Sequence, residues 1–284
     1  MGKMIKVATS KFPTAPWDLL VTSIACNVNE SVGATDKGMT DLLERTCITD
    51  ANLSVEDSEK ALEDFMQAQR KKYGVHKNDD FIRFEFSSKR KRMSTVISNV
   101  TGNGGYDKRL LCKGASEYVL EQCTHYLDAS GTRKQMDDVK LKQIKDIIVT
   151  YASAALRTIA LAYRDLEEGD FGEKHADPQK DVVGVKDCEK NGLTLVGILG
   201  IYDIIRAEVP GAVATCQKAG VIVRMITGDN IVTAKAIAEK CGLITEKEKE
   251  VEGMCIEGPE FYEAMGGLLC LTCKKDIPLD CECK

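Results

Sequence analysis

The segment MITGDN at residues 225–230 constrains the fold of this chain more than any other stretch. The apolar run 221–223 precedes it, and a segment of helical character, 231–241, follows it. This order of strand, tight polar loop and helix is typical of α/β proteins, in which ligands bind just past the carboxyl ends of such strands. Thr227 supplies a hydroxyl, Gly228 lets a ligand approach the backbone, and Asp229 brings a charge to a helix N-terminus, where free N–H groups bind phosphate. The alternative is an ordinary N-cap, because Asn and Asp favour that position for structural reasons alone.

The composition is that of a globular protein. The chain has 284 residues, 43% of them hydrophobic and 29% charged, and this length suggests about two domains. The net charge is −5, and no basic stretch is interleaved with aromatic residues, so nucleic acid is not an expected partner. The longest apolar runs, such as 195–202, fall well short of the ~20 residues of a membrane helix. We expect no secretory signal after residues 1–3, and we therefore expect the twelve cysteines to be reduced thiols.

Hydrophobic periodicity predicts an alternation of helices and strands. Trp17, Leu20, Val21 and Ile24 recur at helical spacing, whereas residues 81–86 alternate large apolar and polar side chains as a strand does. Helices are predicted over 17–27, 36–47, 61–73, 115–123, 137–155, 208–219 and 231–241. Strands are predicted over 81–86, 93–100, 106–113, 158–163, 193–199 and 221–223, with a hairpin turn at 101–105, a turn at 131–132, a connector before residue 18 and an exposed loop over 167–191.

Five motifs occur in an order that is characteristic of one protein family. They are RKRMSTVI at 90–97, KGASE at 113–117, LRTIALAYRD at 156–165, GIYD with a following arginine at 200–206, and VRMITGDNIVTAKAIAEKCG at 223–242. Each motif alone is weakly specific. In this order and spacing the chain resembles the cytoplasmic headpiece of P-type ATPases, and in particular that of calcium pumps of the plasma-membrane type.

The resemblance implies an α/β fold with two parts. Residues 1–199, with an N-terminal connector, would form the nucleotide-binding domain, an antiparallel sheet with flanking helices. Residues 200–284 would form an incomplete Rossmann-like phosphorylation domain of the haloacid-dehalogenase type. The whole protein would use ATP and Mg²⁺ to pump a cation, which the resemblance implies is calcium, with this headpiece on the cytoplasmic side. ATP and the membrane and actuator domains of the pump would be its partners.

Two motifs of the family are not found in this sequence. The family's phosphorylated aspartate lies in D-K-T-G-T-L-T, and DKGMT at residues 36–40 does not match it, because no apolar strand precedes it and Thr-Gly-Thr is broken. Residues 33–43 match better the early nucleotide-domain motif G-x-x-T-E-x-A-L, with Asp36 in place of glutamate. The magnesium-binding motif T-G-D-G-V-N-D is also missing. We therefore expect a fragment of a pump, or a truncated reading of its gene, that lacks a catalytic residue and is inactive alone.

The candidate nucleotide site begins with two residues near the strand 81–86. Phe86 ends that strand, so its ring can stack on adenine, a contact worth about 1–3 kcal/mol in nucleic-acid systems. The alternative for Phe86 is a core aromatic. Lys91 lies in the basic run 89–92, which alone suggests a solvated loop, but the resemblance implies that this lysine lies near the nucleotide. The resemblance also brings Asp36 into the site.

Three further residues extend this site. Lys113 and Gly114 follow an apolar strand, where a cation and a small residue leave room for a purine. The alternative is a surface lysine beside a turn glycine. Arg157 can reach phosphate oxygens through its planar guanidinium, or it can be a cation favoured at a helix C-terminus.

The remaining site residues follow from the resemblance. Asp203 and Arg206 belong to the hinge that carries the nucleotide toward the phosphorylated aspartate, although Ile204 and Ile205 replace the usual prolines. Thr227, Gly228 and Asp229 would face the γ-phosphate and the ribose when the domains close.

The C-terminal cysteines form a separate candidate site. Cys270, Cys273, Cys281 and Cys283 place four thiols within fourteen residues, and four thiolates can hold zinc. The seven-residue spacer is short for a zinc ribbon, so a cysteine-rich surface insertion is the simpler interpretation.

Two other functions stay open. A free-standing phosphatase of the haloacid-dehalogenase type would need D-x-D-x-T, which does not occur here. A non-catalytic nucleotide-binding or regulatory protein derived from such a pump has no such requirement.

Overall fold

The computed structural model describes residues 14–28, 33–48, 53–75, 82–87, 90–98, 100, 107–167, 187–202 and 205–266. Its contacts divide the chain into two compact units, the first made of residues 1–151 and 156–203 and the second of 152–155 and 204–284. Several predicted features lie outside the described residues: most of the connector, the hairpin turn 101–105, most of the loop 167–191, Asp203, and the four cysteines Cys270, Cys273, Cys281 and Cys283.

The helices and strands follow one another in the order that the periodicity predicts, with additions and without the strand predicted at 221–223. The helices are α1 (Thr14–Cys26), α2 (Ala34–Cys47), α3 (Val55–Lys72), α4 (Ser116–Leu120), α5 (Asp138–Ser153), α6 (Glu208–Lys218), α7 (Ile231–Lys240) and α8 (Gly258–Ala264). The strands are β1 (Ile82–Phe84), β2 (Arg92–Ile97), β3 (Arg109–Ala115), β4 (Cys123–Leu127), β5 (Arg133–Gln135), β6 (Leu156–Asp165) and β7 (Leu193–Tyr202). No described helix has both the length and the apolar character that a membrane crossing requires.

The first unit is built on one seven-stranded sheet with the order β1-β2-β3-β6-β7-β4-β5. Neighbouring strands are antiparallel, apart from the parallel pair β4–β7. The predicted α/β fold with an antiparallel sheet and flanking helices is therefore confirmed. The predicted turn at 131–132 joins β4 to β5, two short strands that the periodicity did not reveal.

Helices cover both faces of this sheet. Successive side chains of a strand point to opposite faces, and β6 shows the consequence. Ala160 and Ala162 belong to the core cluster that contains residues of α4 and α5, whereas Leu161 between them packs with α1, α2 and α3. This double burial explains why the motif LRTIALAYRD is apolar at consecutive positions and not only at alternate ones.

The three N-terminal helices are fastened to the sheet by buried polar groups. The predicted apolar face of α1 is buried at Trp17, Val21 and Ile24. Just after α1, the Asn27 amide donates to the carbonyls of Met93 and Leu111, both at 3.3 Å, and accepts from the Thr95 hydroxyl at 2.7 Å. These bonds satisfy a buried amide that would otherwise be costly to desolvate.

A buried arginine closes the end of α1. Arg70 of α3 donates from Nε to the carbonyl of Ala25 at 2.9 Å and from Nη2 to that of Val28 at 3.0 Å. The last carbonyls of a helix have no partner within the helix, so Arg70 supplies donors that α1 itself lacks.

The second unit contains helices but, among its described residues, no strand. The strand predicted at 221–223 is therefore wrong. These residues pair with no described strand. Val221 and Ile222 are exposed, as is Ile226 at 97%. An apolar run predicts a strand only if another strand pairs with it, because the ladder hydrogen bonds come from the neighbour.

Candidate functional site

The buried ion pair between Lys113 and Asp36 lies at the centre of the candidate site. Lys113 occupies β3 opposite Met93 on one side and Leu161 on the other. Its ammonium contacts the carboxylate of Asp36, in the first turn of α2, and the two side chains are only 8% and 13% exposed. Two predicted site residues that are far apart in sequence are thus in direct contact.

The charge on Lys113 depends on this partner. Burial lowers the pKa of the Lys113 ammonium, while Asp36 opposes that shift. Arg83 also lowers this pKa and Glu85 raises it, so the end of β1 lies near the lysine. A cation that is desolvated and held by one carboxylate can give a strong contact to an anionic or polar ligand, since the local dielectric is low.

Phe86 lies outside the hydrophobic core. Phe84, two residues earlier, is buried in the cluster with Val96 and Leu110, whereas Phe86 is 57% exposed. The alternative that Phe86 is a core aromatic therefore applies to Phe84 instead. An aromatic ring with an accessible face just beyond a strand end can stack on a flat ligand.

Lys91 and Gly114 are in contact through the backbone. Lys91 has a left-handed conformation with φ 53°, and its carbonyl accepts a hydrogen bond from the Ala115 N–H at 3.0 Å. A Cβ added to Gly114 would lie 2.4 Å from the Lys91 carbonyl oxygen. Glycine is thus required at position 114 because the Lys91 backbone lies directly against β3 there. The sequence alone did not reveal this structural reason.

A second buried ion pair was missed in the sequence. Arg90 donates from Nη1 to both carboxylate oxygens of Glu189, at 2.8 and 2.7 Å, and Arg92 Nε lies 3.7 Å from the same carboxylate. Glu189 is fully buried, in the 3₁₀ helix Asp187–Glu189 before β7. The interpretation of 89–92 as a solvated loop is therefore wrong for Arg90 and Arg92. The interpretation of 167–191 as an exposed loop is wrong for Cys188 and Glu189. The arginine charges can be buried because the Glu189 carboxylate compensates them. A run of basic residues in the sequence does not show such a distant partner.

Arg157 lies on the same face of the sheet as Lys113. It pairs with Ile201 near the start of β6 and is half-buried, four residues before Leu161, the partner of Lys113. At the usual rise of about 3.3 Å per residue, four residues span roughly 13 Å. Because alternate residues share a face, Arg157 and Lys113 lie on one side of the sheet, the side on which Leu161 packs with the N-terminal helices. Arg157 is in a strand, so its alternative role as a helix C-terminal cation is wrong.

The remaining described residues of the predicted nucleotide site belong to the second unit. The Thr227 hydroxyl donates to the Asp229 carboxylate at 3.0 Å and accepts from the Asp229 N–H at 3.1 Å. Asn230 caps α7, its side chain accepting from the Val232 N–H at 2.8 Å, so the ordinary N-cap interpretation holds for that residue. Gly228 lies in this exposed turn, and Arg206 is exposed just before α6.

Metal ligands are not clustered in the described part of the chain. No group of three or more His, Cys, Asp or Glu side chains there could hold a metal ion. The zinc candidate in the C-terminal tail lies outside those residues.

The chain is similar to P-type ATPases over most of its length. Residues 18–208 match the family described as "P-type ATPase, cytoplasmic domain N". The chain is 46% identical over 178 residues to calcium-transporting ATPase 3, plasma membrane-type, from Oryza sativa subsp. japonica. The aligned region is 63% of this chain and 15% of that protein. It is 37% identical over 259 residues to calcium-transporting ATPase PAT1 from Dictyostelium discoideum. This alignment includes 89% of this chain and 20% of that protein. The chain thus spans a fifth or less of the length of these relatives.

Proposed function

Because this chain belongs to the P-type ATPase family, of which it carries cytoplasmic domain N, we propose that its first unit binds ATP. The adenine stacks on Phe86, and Lys113 and Asp36 lie at its polar edge beside Gly114. Lys91 and Arg157 attract the phosphates. The observation that carries this function is the buried Lys113–Asp36 pair. The exposed ring of Phe86, two residues beyond β1, adds a surface on which a purine can stack.

The chemistry of these residues supports binding more than turnover. A desolvated ammonium held by one carboxylate is already oriented, so a nucleotide gains the contact without ordering a flexible side chain. An exposed aromatic ring accepts a purine face at little cost. Neither feature breaks a phosphate bond, and phosphoryl transfer depends mainly on positioning and charge neutralisation.

In the larger pump, the bound nucleotide would deliver its γ-phosphate to an aspartate that is not among these residues. We propose residues 1–199 as the nucleotide-binding domain and 200–284 as part of the phosphorylation domain, with Asp203 and Arg206 at their hinge. Thr227, Gly228 and Asp229 would then meet the γ-phosphate. Mg²⁺ would arrive bound to the triphosphate, where it neutralises phosphate charge. Calcium is the proposed cargo, because the relatives are named as calcium-transporting ATPases.

Calorimetric titration with ATP tests the binding function. We expect Lys113→Ala to weaken ATP binding at least tenfold, because a charge-assisted contact is worth about 1.5–3 kcal/mol. Lys145→Ala removes an exposed lysine of α5 and should leave the affinity unchanged.

Two results would count against this function. One is a folded wild-type chain that does not bind ATP at millimolar concentration, which would favour a regulatory role without nucleotide. The other is an equal affinity for the Lys113→Ala and Lys145→Ala variants. Lys113→Met retains the bulk of the stem, so it replaces the alanine variant if the latter does not fold.

A further inference from the structure

We propose that Arg90 and Glu189 are positioning residues for the nucleotide. Their buried ion pair holds residues 85–87 and 90–91, the described part of the connection between β1 and β2, in the conformation that presents Phe86 and Lys91. This inference rests on the proposed ATP site and adds to it two residues that do not themselves contact the ligand.

Arg90 ties the connection to a distant part of the chain. Its Nη1 donates to both oxygens of Glu189, at 2.8 and 2.7 Å, and its Nη2 donates to the carbonyl of Glu85. The same guanidinium thus joins the start of the connection to its end, and joins both to the 3₁₀ helix that precedes β7. Glu189 is therefore the fixed point against which the connection is held.

The burial of this pair makes its separation costly. The Arg90 side chain is 5% exposed and Glu189 is fully buried, with Arg92 as a second cation at 3.7 Å. Buried ion pairs add little net stability, because the cost of desolvation offsets their attraction, but removing one partner leaves an uncompensated charge. A fully paired Arg90 therefore strongly disfavours any conformation of the connection that separates it from Glu189.

The two ligand-binding residues of the connection depend on that backbone. Phe86 is largely exposed, so core packing does not set the position of its ring. Lys91 adopts a left-handed φ, and its N–H donates to the Ser87 carbonyl at 2.8 Å. Phe86 and Lys91 therefore take their positions from the backbone that Arg90 holds.

A double-mutant cycle with ATP tests this role. The variants are Glu189→Gln, Phe86→Ala and the two combined, each titrated with ATP by calorimetry, with unfolding measured separately. We expect Glu189→Gln to weaken ATP binding about fivefold or more in the wild-type background, and less than about twofold when Phe86 is already absent. Such non-additivity follows from positioning, whereas loss of global stability alone would leave the affinity of the folded protein unchanged.

A matched control breaks a different ion pair of the same sheet. Asp165→Asn removes the partner of Arg109, which lies 2.5 Å away at the opposite end of β3, and should leave ATP affinity unchanged. If Glu189→Gln does not fold, Arg90→Lys takes its place in the cycle, since lysine keeps the charge but loses the planar fork.

The results separate this inference from the proposed function. A wild-type chain that binds ATP and is weakened by Lys113→Ala, together with a Glu189→Gln variant of unchanged affinity, would overturn only the positioning role. The same holds if Glu189→Gln costs as much in the Phe86→Ala background as in the wild type. A folded wild-type chain that does not bind ATP would overturn both.

Discussion

Replacing Gly114 by alanine should destabilise the first unit by forcing two backbone segments apart. The new Cβ would lie 2.4 Å from the Lys91 carbonyl oxygen, 2.7 Å from the Cβ of Arg92 and 2.8 Å from its Cα. Cβ atoms essentially never approach other atoms closer than 3.0 Å, so the chain at Lys91 would have to move by at least about 0.6 Å. Two of these three contacts are with backbone atoms, which no rotamer change can relieve.

The surrounding contacts resist that movement. The Lys91 carbonyl holds the Ala115 N–H at 3.0 Å, and Arg90 and Arg92 on either side are held by Glu189. Overpacking of a rigid site costs about 1–3 kcal/mol. We expect a loss of about 2 kcal/mol for Gly114→Ala, which corresponds to a fall in Tm of about 4–8 °C for a unit of this size.

Chemical denaturation and thermal melting of the variant measure this loss, with Gly197→Ala as the matched control. Gly197 also lies in the sheet, in β7, but a Cβ there would meet only Leu20 Cδ1 at 3.7 Å, an ordinary contact. The control should change the free energy of unfolding by no more than about 0.5 kcal/mol, since alanine fits there and stiffens the unfolded chain. Equal stabilities for the two variants would refute the reasoning, because they would show that the Lys91 backbone yields freely.

Two other predictions concern the buried polar groups and thiols of the first and second units. Arg70→Met should lower the free energy of unfolding in urea by about 2–4 kcal/mol, because the carbonyls of Ala25 and Val28 lose their donors. The control is Arg45→Met, at an exposed position of α2. Similar urea midpoints for the two variants would contradict the capping role of Arg70. Burial raises the pKa of the Cys26 and Cys112 thiols to about 12, and the thiolate is the reactive form. In the folded protein at pH 8, iodoacetamide should therefore modify the partly exposed Cys216 and Cys255 well before Cys26 and Cys112. Peptide mass spectrometry measures the extent of modification over time. Equal modification rates for the four thiols in the folded protein would contradict the prediction.

Local patterns predicted the elements whose burial is regular. The helical spacing from Trp17 to Ile24 predicted α1, and the apolar runs predicted the central strands β2, β3, β6 and β7. The hairpin β4–β5 was missed because Arg133–Gln135 is a three-residue strand whose side chains are all exposed. It has no apolar alternation, and only its pairing with β4 makes it a strand.

The opposite error occurred at residues 221–223. There the side chains have the composition of a strand, but no described residue of the second unit pairs with them. Apolar side chains favour burial, but a strand also needs hydrogen-bonding partners that lie elsewhere in the chain.

The sequence by itself determined the family, the sheet with flanking helices, and the residue types of the proposed nucleotide site, because these depend on short-range periodicity and on motifs. Only the tertiary structure decided that Asp36 pairs with Lys113, that Gly114 makes room for the Lys91 backbone, and that Arg90 and Glu189 neutralise each other in the interior. Such contacts join residues far apart in the chain. Their charges and close approaches become favourable only when folding excludes water and brings both partners together.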